Sequence, residues 1–213
     1  MESPFPEPVP AGTRLIETFG CWPGTGARRI DRHLARMAES ARCLGFAFRQ
    51  ADARELIADL SDAAPLRCRL TLGVSGDLDL ATVPLPPMPD RPWRVAIHPA
   101  RLRADDPWLV HKTTERALYD RARASMPEGV DEWLFLNELG ELCEGTITNL
   151  FVTLPDGRRI TPPVASGLLP GILRAEMLER GAIVEAVVTP DMLSAATLHL
   201  GNSLRGEIAA RLV

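Results

Sequence analysis

The residue pattern predicts an α+β, or mixed α/β, chain in two domains. Three observations carry this. Strand-like runs outnumber helical ones in both halves, which argues against a doubly wound sheet. An irregular polar stretch from Pro99 to Pro107 marks a hinge, giving a small domain at 1–104 and a second at 105–213. No segment repeats another.

The elements follow in order. Residues 14–19 read as a short strand, and Gly20 to Gly26 as a turn. From Ile30 to Leu44 the apolar residues Ile30, Leu34, Met37, Ala41 and Leu44 recur at spacings of four and three, one face of an amphipathic helix. Asp31 stands near its start and Gly45 is a natural stop. A second helix is expected over 51–63. Strands follow at 67–73, 78–84 and 93–98; in the first, Cys68, Leu70 and Leu72 alternate with Arg67, Arg69 and Thr71. The intervening LPPMPDRP is too rich in proline for a central strand. Beyond the hinge a helix is expected over 113–125. The strand Trp133 to Asn137 turns through Glu138-Leu139-Gly140 into a second strand, and Leu150 to Leu154 turns through Pro155-Asp156-Gly157 into Arg159 to Thr161. A helix (171–180), a strand (183–188), a short helix (190–196) and a closing strand (197–201) complete the reading.

Composition narrows the partners. Apolar residues make up 46% and charged residues 24%, ordinary values for a soluble globular protein. Net charge is −4 and the arginines are scattered, so the basic stripe of a nucleic-acid surface is missing. The start, MESPFPEPVPAGTR, lacks the basic and apolar regions of a signal peptide, and no run approaches the length of a membrane span; a cytoplasmic protein is expected. Cysteines 21, 43, 68 and 143 and histidines 33, 98, 111 and 199 show no metal-ligand spacing, so free, mostly buried thiols and no metal are expected.

The most informative residue is Lys112. Of the 24 lysines and arginines it alone is a lysine. A guanidinium stays protonated, whereas a desolvated amine can lose its proton and attack a carbonyl, most often to form a Schiff base. Three stretches bear on this. LVHKTTERALYDRA (109–122) sets Lys112 at the entrance to a helix, behind Trp108, Leu109 and Val110. NELGELCEGTITNLFV (137–152) ends a strand on Glu144 with Gly145 after it. SGLLPGILRAEML (166–178) is a glycine–proline turn opening a helix, whose first N–H groups could receive a phosphate. An amine, a carboxylate for a ring nitrogen, a helix amino terminus and an arginine are the parts of a pyridoxal phosphate site.

These stretches resemble the class IV pyridoxal-phosphate aminotransferases of fold type IV, a family that includes branched-chain and D-amino acid aminotransferases and aminodeoxychorismate lyase. RHLARMAESARCLGF is similar to the family's His-x-x-Arg helix, HKTTERALYDRA to its lysine segment and LCEGTITNLFV to its Glu-Gly segment; SGLLPGILR and LGNSLRG are similar to its two phosphate-side loops. The resemblance implies a two-domain fold, with the cofactor pyridoxal 5'-phosphate in Schiff-base linkage to Lys112. It implies Glu144 at the pyridine nitrogen. Arg36, the main-chain N–H groups of Ile172 and Leu173, and Ser203 or Asn202 would hold the phosphate. It further implies a homodimer acting on a small amino substrate. Of the activities it allows, the NSLRG block and the lysine segment look most like the lyase that converts 4-amino-4-deoxychorismate to 4-aminobenzoate and pyruvate, a step of folate biosynthesis. An amino acid aminotransferase and a non-catalytic module that keeps the fold are the alternatives. Family members usually carry a longer stretch before the segment matching Arg14 to Phe19, so a small domain trimmed at its start is expected.

Other residues read differently. Arg101 and Arg103, in the hinge, could meet a substrate carboxylate. Tyr119, the only tyrosine, is expected to pack. His111 should point away from Lys112 if the chain is extended there, and strand alternation should set Cys143 on the face opposite Glu144.

Overall fold

The computed structural model describes Phe5, residues 8–60 and residues 63–213. It divides into two compact units. The first runs to Pro87 and also takes in His111–Glu115; the second comprises Met88–Val110 and Arg116–Val213.

The first unit is an antiparallel sheet with two helices. Its strands are β1 (Leu15–Trp22), β2 (Gly26–Ala27), β3 (Leu66–Leu72) and β4 (Leu78–Pro84), in the order β2-β1-β3-β4. Alternation on β3 sends Leu66, Cys68 and Leu70 inward and leaves Arg67 and Arg69 exposed. Helix α1 (Ile30–Leu44) lays Leu34, Met37, Ala41 and Leu44 against β1, and α2 (Gln50–Ala58) buries Ala53 and Ile57.

The second unit is built on eight strands: β5 (Trp93–Leu102), β6 (Glu132–Asn137), β7 (Leu142–Gly145), β8 (Asn149–Thr153), β9 (Arg159–Thr161), β10 (Val184–Glu185), β11 (Thr197–Asn202) and β12 (Gly206–Leu212). Their order is β10-β9-β8-β11-β12-β5-β6-β7, and β7 pairs again with β8 through Glu144 and Asn149. Six strands therefore close into a ring, with β9 and β10 as an extension. Alternate residues fill the ring, among them Val95, Leu134, Leu136, Leu150, Val152 and Leu200, each at most 4% exposed. The other face of the strands meets two helices. Helix α3 (Ala117–Ala124) covers Phe135 and Cys143, and α4 (Ile172–Glu179) covers Phe151 with Leu173 and Met177.

Several boundaries differ from the sequence reading, each for a local reason. The units do not divide at 104/105. Segment Pro99–Leu102 continues β5, and the pairing absorbs Pro99 as an irregularity between Ile97 and Arg101, where a missing N–H does no harm. Lys112 belongs to the first unit rather than to the second domain. Its carbonyl accepts from Ile16 N at 2.7 Å and Thr114 N donates to Arg14 O at 2.9 Å, so residues 112–114 run as an extra strand along β1. That pairing consumes the expected start of the helix at 113, and α3 begins only at Ala117. Strand β1 continues through Gly20 to Trp22 before a tight hairpin. Residues 61 and 62 of the expected second helix lie outside the described residues, as do 1–4, 6 and 7 of the segment expected to be trimmed. The 183–188 strand shortens to Val184–Glu185, and 190–196 forms a 3-10 turn, Pro190–Ser194. The chain does not close on 197–201: β12 follows, and it pairs in parallel with β5.

Leu150 is fully buried in the ring. Leu150→Ala should cost about 2–5 kcal/mol, the range for deleting a packed leucine side chain. Urea denaturation would show this as a lower midpoint with an unchanged slope.

Candidate active site

In the first unit the expected Arg36 stands in a charged cluster the sequence reading missed. Glu17 on β1 is 1% exposed, and its carboxylate faces α1. Arg36 donates to it twice, Nε to Oε1 at 2.9 Å and Nη2 to Oε2 at 2.7 Å. His33 Nδ1 lies 2.6 Å from Oε2. Residues three apart share a helix face, so the His-x-x-Arg spacing brings both side chains onto one carboxylate. Burial opposes the charge on Glu17, but Arg36 and the bonds from both partners outweigh it and hold the carboxyl at about 2. The guanidinium plane of Arg36 is thus fixed from β1. Lys112 is held through its backbone on the extended segment beside β1. His111, next to it, meets Ser40 Oγ through Nδ1 at 3.0 Å, which agrees with an extended chain.

In the second unit the site grows from the end of β7. The register of β6 against β7 slips by one residue between Leu134/Gly145 and Leu136/Leu142. This bulge defeats the alternation expected of Cys143 and Glu144. Both side chains meet the same segment: Cys143 Sγ reaches Ser166 O at 3.1 Å, and Glu144 Oε2 accepts from Leu169 N at 3.1 Å. Glu144 is 7% exposed, and its Oε1 accepts from the Tyr119 hydroxyl at 2.7 Å. Burial and the acidic neighbours push the Cys143 thiol up to about 12, so it stays protonated.

Residues 163–171 are stitched to the strand ends by side chains. Asn137 Nδ2 donates to Ser166 O at 3.0 Å, Ser166 Oγ donates to Glu141 at 2.6 Å, and Asn149 Nδ2 donates to Leu169 O at 2.9 Å. Leu169 is therefore gripped at both its N–H and its carbonyl, by Glu144 and Asn149. Gly171 precedes α4, and a Cβ there would collide with Asn149 Oδ1, so a side chain at this position would displace the Asn149 amide. The helical ladder starts where Ala175 N donates to Gly171 O. The N–H groups of Ile172 and Leu173 precede it, at the positive end of the helix dipole.

The turn from β11 to β12 completes this half. Asn202 Oδ1 accepts from Leu204 N at 3.1 Å and Arg205 N at 2.9 Å, and its Nδ2 donates to Ile147 O at 3.2 Å. Its amide shapes the turn, in which Ser203 is buried at 8% exposure. Gly201 sits under α4, where a Cβ would fall 2.9 Å from Leu173 Cδ2 and 2.9 Å from Phe151 Cε2.

Besides Glu17, two residues of the second unit went unnoticed in the sequence. Glu132, fully buried, accepts from Thr146 N and Oγ1, Ile147 N and Thr148 Oγ1, and so organises the turn that follows Glu144. Arg116 spans Asp120 and Thr146 O at 2.9 Å each. A single glutamate and arginine carry no pattern, so sequence offered no signal for either. Arg101 and Arg103 are exposed: Arg101 Nη1 reaches His98 O at 3.3 Å, and Arg103 pairs with Asp105 at 3.0 Å.

The Glu17 cluster predicts an acid-dependent stability. Its carboxyl falls from an ordinary 4.5 to about 2 on folding, so its contribution is complete above pH 4.5 and is lost as pH drops toward 2. That amounts to about 3 kcal/mol at 1.36 kcal/mol per unit. Urea midpoints should drop between pH 6 and pH 3 in the parent. Glu17→Gln should be less stable at pH 6 and lose much less on acidification.

Residues 14–213 match the family described as Amino-transferase class IV. A solved structure from Mesorhizobium loti, provisionally assigned as an amino-acid aminotransferase, aligns with TM-score 0.89 at 44% identity over 94% of this chain and 100% of that one. The 4-amino-4-deoxychorismate lyase of Pseudomonas aeruginosa aligns with TM-score 0.78 at 28% identity over 93% and 82%. A Schizosaccharomyces pombe protein, provisionally named an aminodeoxychorismate lyase, is 31% identical over 163 residues, 73% of this chain and 70% of its own. The chain belongs to the class IV aminotransferase family.

Proposed function

We propose that this enzyme uses pyridoxal 5'-phosphate to convert 4-amino-4-deoxychorismate to 4-aminobenzoate and pyruvate. The observation that carries the cofactor is Glu144, a buried carboxylate with a donor on each oxygen. It belongs to the same packed assembly as the amino terminus of α4. A cationic ring nitrogen needs such a carboxylate, and a phosphate needs such a helix start, so the donor set fits the group. When bound, the ring supplies an electron sink for charge left on the substrate carbon.

In this reading Lys112 supplies the Schiff-base amine; once freed and neutral, it takes the proton from the substrate carbon next to nitrogen. Glu144 keeps the proton at the ring nitrogen. The N–H groups of Ile172 and Leu173, the Ser203 hydroxyl and the Arg36 guanidinium hold the phosphate, with Glu17 orienting Arg36 and Asn202 shaping the turn around Ser203. Arg101 takes the substrate carboxylate role, because Arg103 already faces Asp105. Aromatisation of the product supplies much of the driving force, so the protein has mainly to position groups and move protons. The enzyme is read as a cytoplasmic homodimer.

The choice of lyase is supported by the 31% identical fission-yeast relative and the 28% identical Pseudomonas enzyme. The 44% identical Mesorhizobium structure favours a second reading, an amino acid aminotransferase that shares Lys112 and Glu144.

Two experiments test this. Borohydride reduction of the loaded protein should fix the cofactor on the peptide containing Lys112, and Lys112→Ala should abolish the attachment. Reduced cofactor found only on the amino terminus would refute the assignment. Given aminodeoxychorismate and no keto acid, the enzyme should release 4-aminobenzoate and pyruvate in equal amounts. Ready transamination of glutamate or branched-chain amino acids, with neither product formed, would select the aminotransferase.

A further inference from the structure

Tyr119 is the chain's single tyrosine, beside six phenylalanines and four tryptophans. Its ring has an ordinary packing role: it sits edge-on to Phe135, with centroids 5.2 Å apart, and the Arg116 guanidinium lies over it at 5.6 Å. Phenylalanine would fill that place equally well. The hydroxyl adds one thing, the 2.7 Å bond to Glu144 Oε1. Partial burial and the adjacent Glu144 charge push the phenol far above its usual titration range, so it acts as a donor throughout the working pH range.

Two donors on Glu144 come from different parts of the second unit, Tyr119 from α3 and Leu169 N–H from the segment before α4. Two donors, one on each oxygen, fix its plane. They also stabilise the charged form.

We infer that Tyr119 is a positioning residue, one that holds the Glu144 carboxylate ionised and correctly oriented for its partner. The inference rests on Glu144 being the partner of the ring nitrogen. Tyr119 touches neither substrate nor reacting atoms in this role; it acts through Glu144.

The test is a double-mutant cycle with a separate measurement on the cofactor-free protein. Tyr119→Phe should lower kcat about 10-fold with little change in KM, the loss of one hydrogen bond to a charged group. In the Glu144→Gln background the same change should cost almost nothing further, because groups that act as a unit are non-additive. In cofactor-free protein carrying carboxyl-13C glutamate, the Glu144 signal is identified by its loss in Glu144→Gln. It should titrate at higher pH in Tyr119→Phe than in the parent. Global replacement with 3-fluorotyrosine alters Tyr119 alone and keeps the ring in place. Its single 19F resonance should move on Glu144→Gln, a readout that does not depend on Tyr119→Phe folding.

The outcomes separate. If Glu144→Gln turns over like the parent, the reading of Glu144 falls and this inference falls with it. If Glu144→Gln is crippled while Tyr119→Phe costs the same in both backgrounds, or the 13C titration and 19F signal do not move, Tyr119 is packing and the inference alone is overturned.

Discussion

The second unit depends on one backbone pairing, that of Glu144 with Asn149. It joins β7 to β8 and turns an open sheet into a closed ring. Closure must be made across a four-residue turn, and the fully buried Glu132 gathers that turn's N–H and hydroxyl groups. Burial outweighs those donors and raises the Glu132 pKa above its ordinary value. The same closure sets the carboxylate of Glu144 beside the amide of Asn149. Between them they hold both the N–H and the carbonyl of Leu169. The position of α4, and of the N–H groups at its start, follows from that grip.

A parallel logic governs the first unit. Its sheet is small, and a buried charge there is tolerable only when fully paired. Glu17 meets this condition with three short contacts from α1, and in return the guanidinium of Arg36 is oriented by the sheet. The lysine segment is fastened to the same strand by main-chain bonds, which ties its position to β1. In each unit a buried carboxylate organises the polar groups, while apolar packing supplies the bulk of the cohesion.

Much of this was legible in residues. The α1 period from Ile30 to Leu44 matched the helix at both ends, because burial on one face and a glycine stop are local signals. The lone Lys112 and the Glu-Gly, Ser-Gly-Leu-Leu-Pro-Gly and Asn-Ser blocks stood out for the same reason. The start of α3 misled, because residues 112–114 are good helix entrants that instead pair with β1. The strand β12 escaped notice since Gly206–Leu212 alternates weakly and gains its place from the neighbours β5 and β11.

Sequence alone determined most of the element types, the two-part α+β organisation, and the residue kinds capable of amine, carboxylate and phosphate-binding chemistry. These rest on period, composition and short motifs, which are properties of neighbouring residues. Tertiary structure decided the rest. It assigned Lys112 to the first unit, bent β7 so that Cys143 and Glu144 address one segment, and set Tyr119 on Glu144. It also committed the Asn202 amide to its own turn. Each of these depends on strand register and ring closure, which bring together residues distant in the chain, and no local pattern encodes which distant partner a side chain will meet.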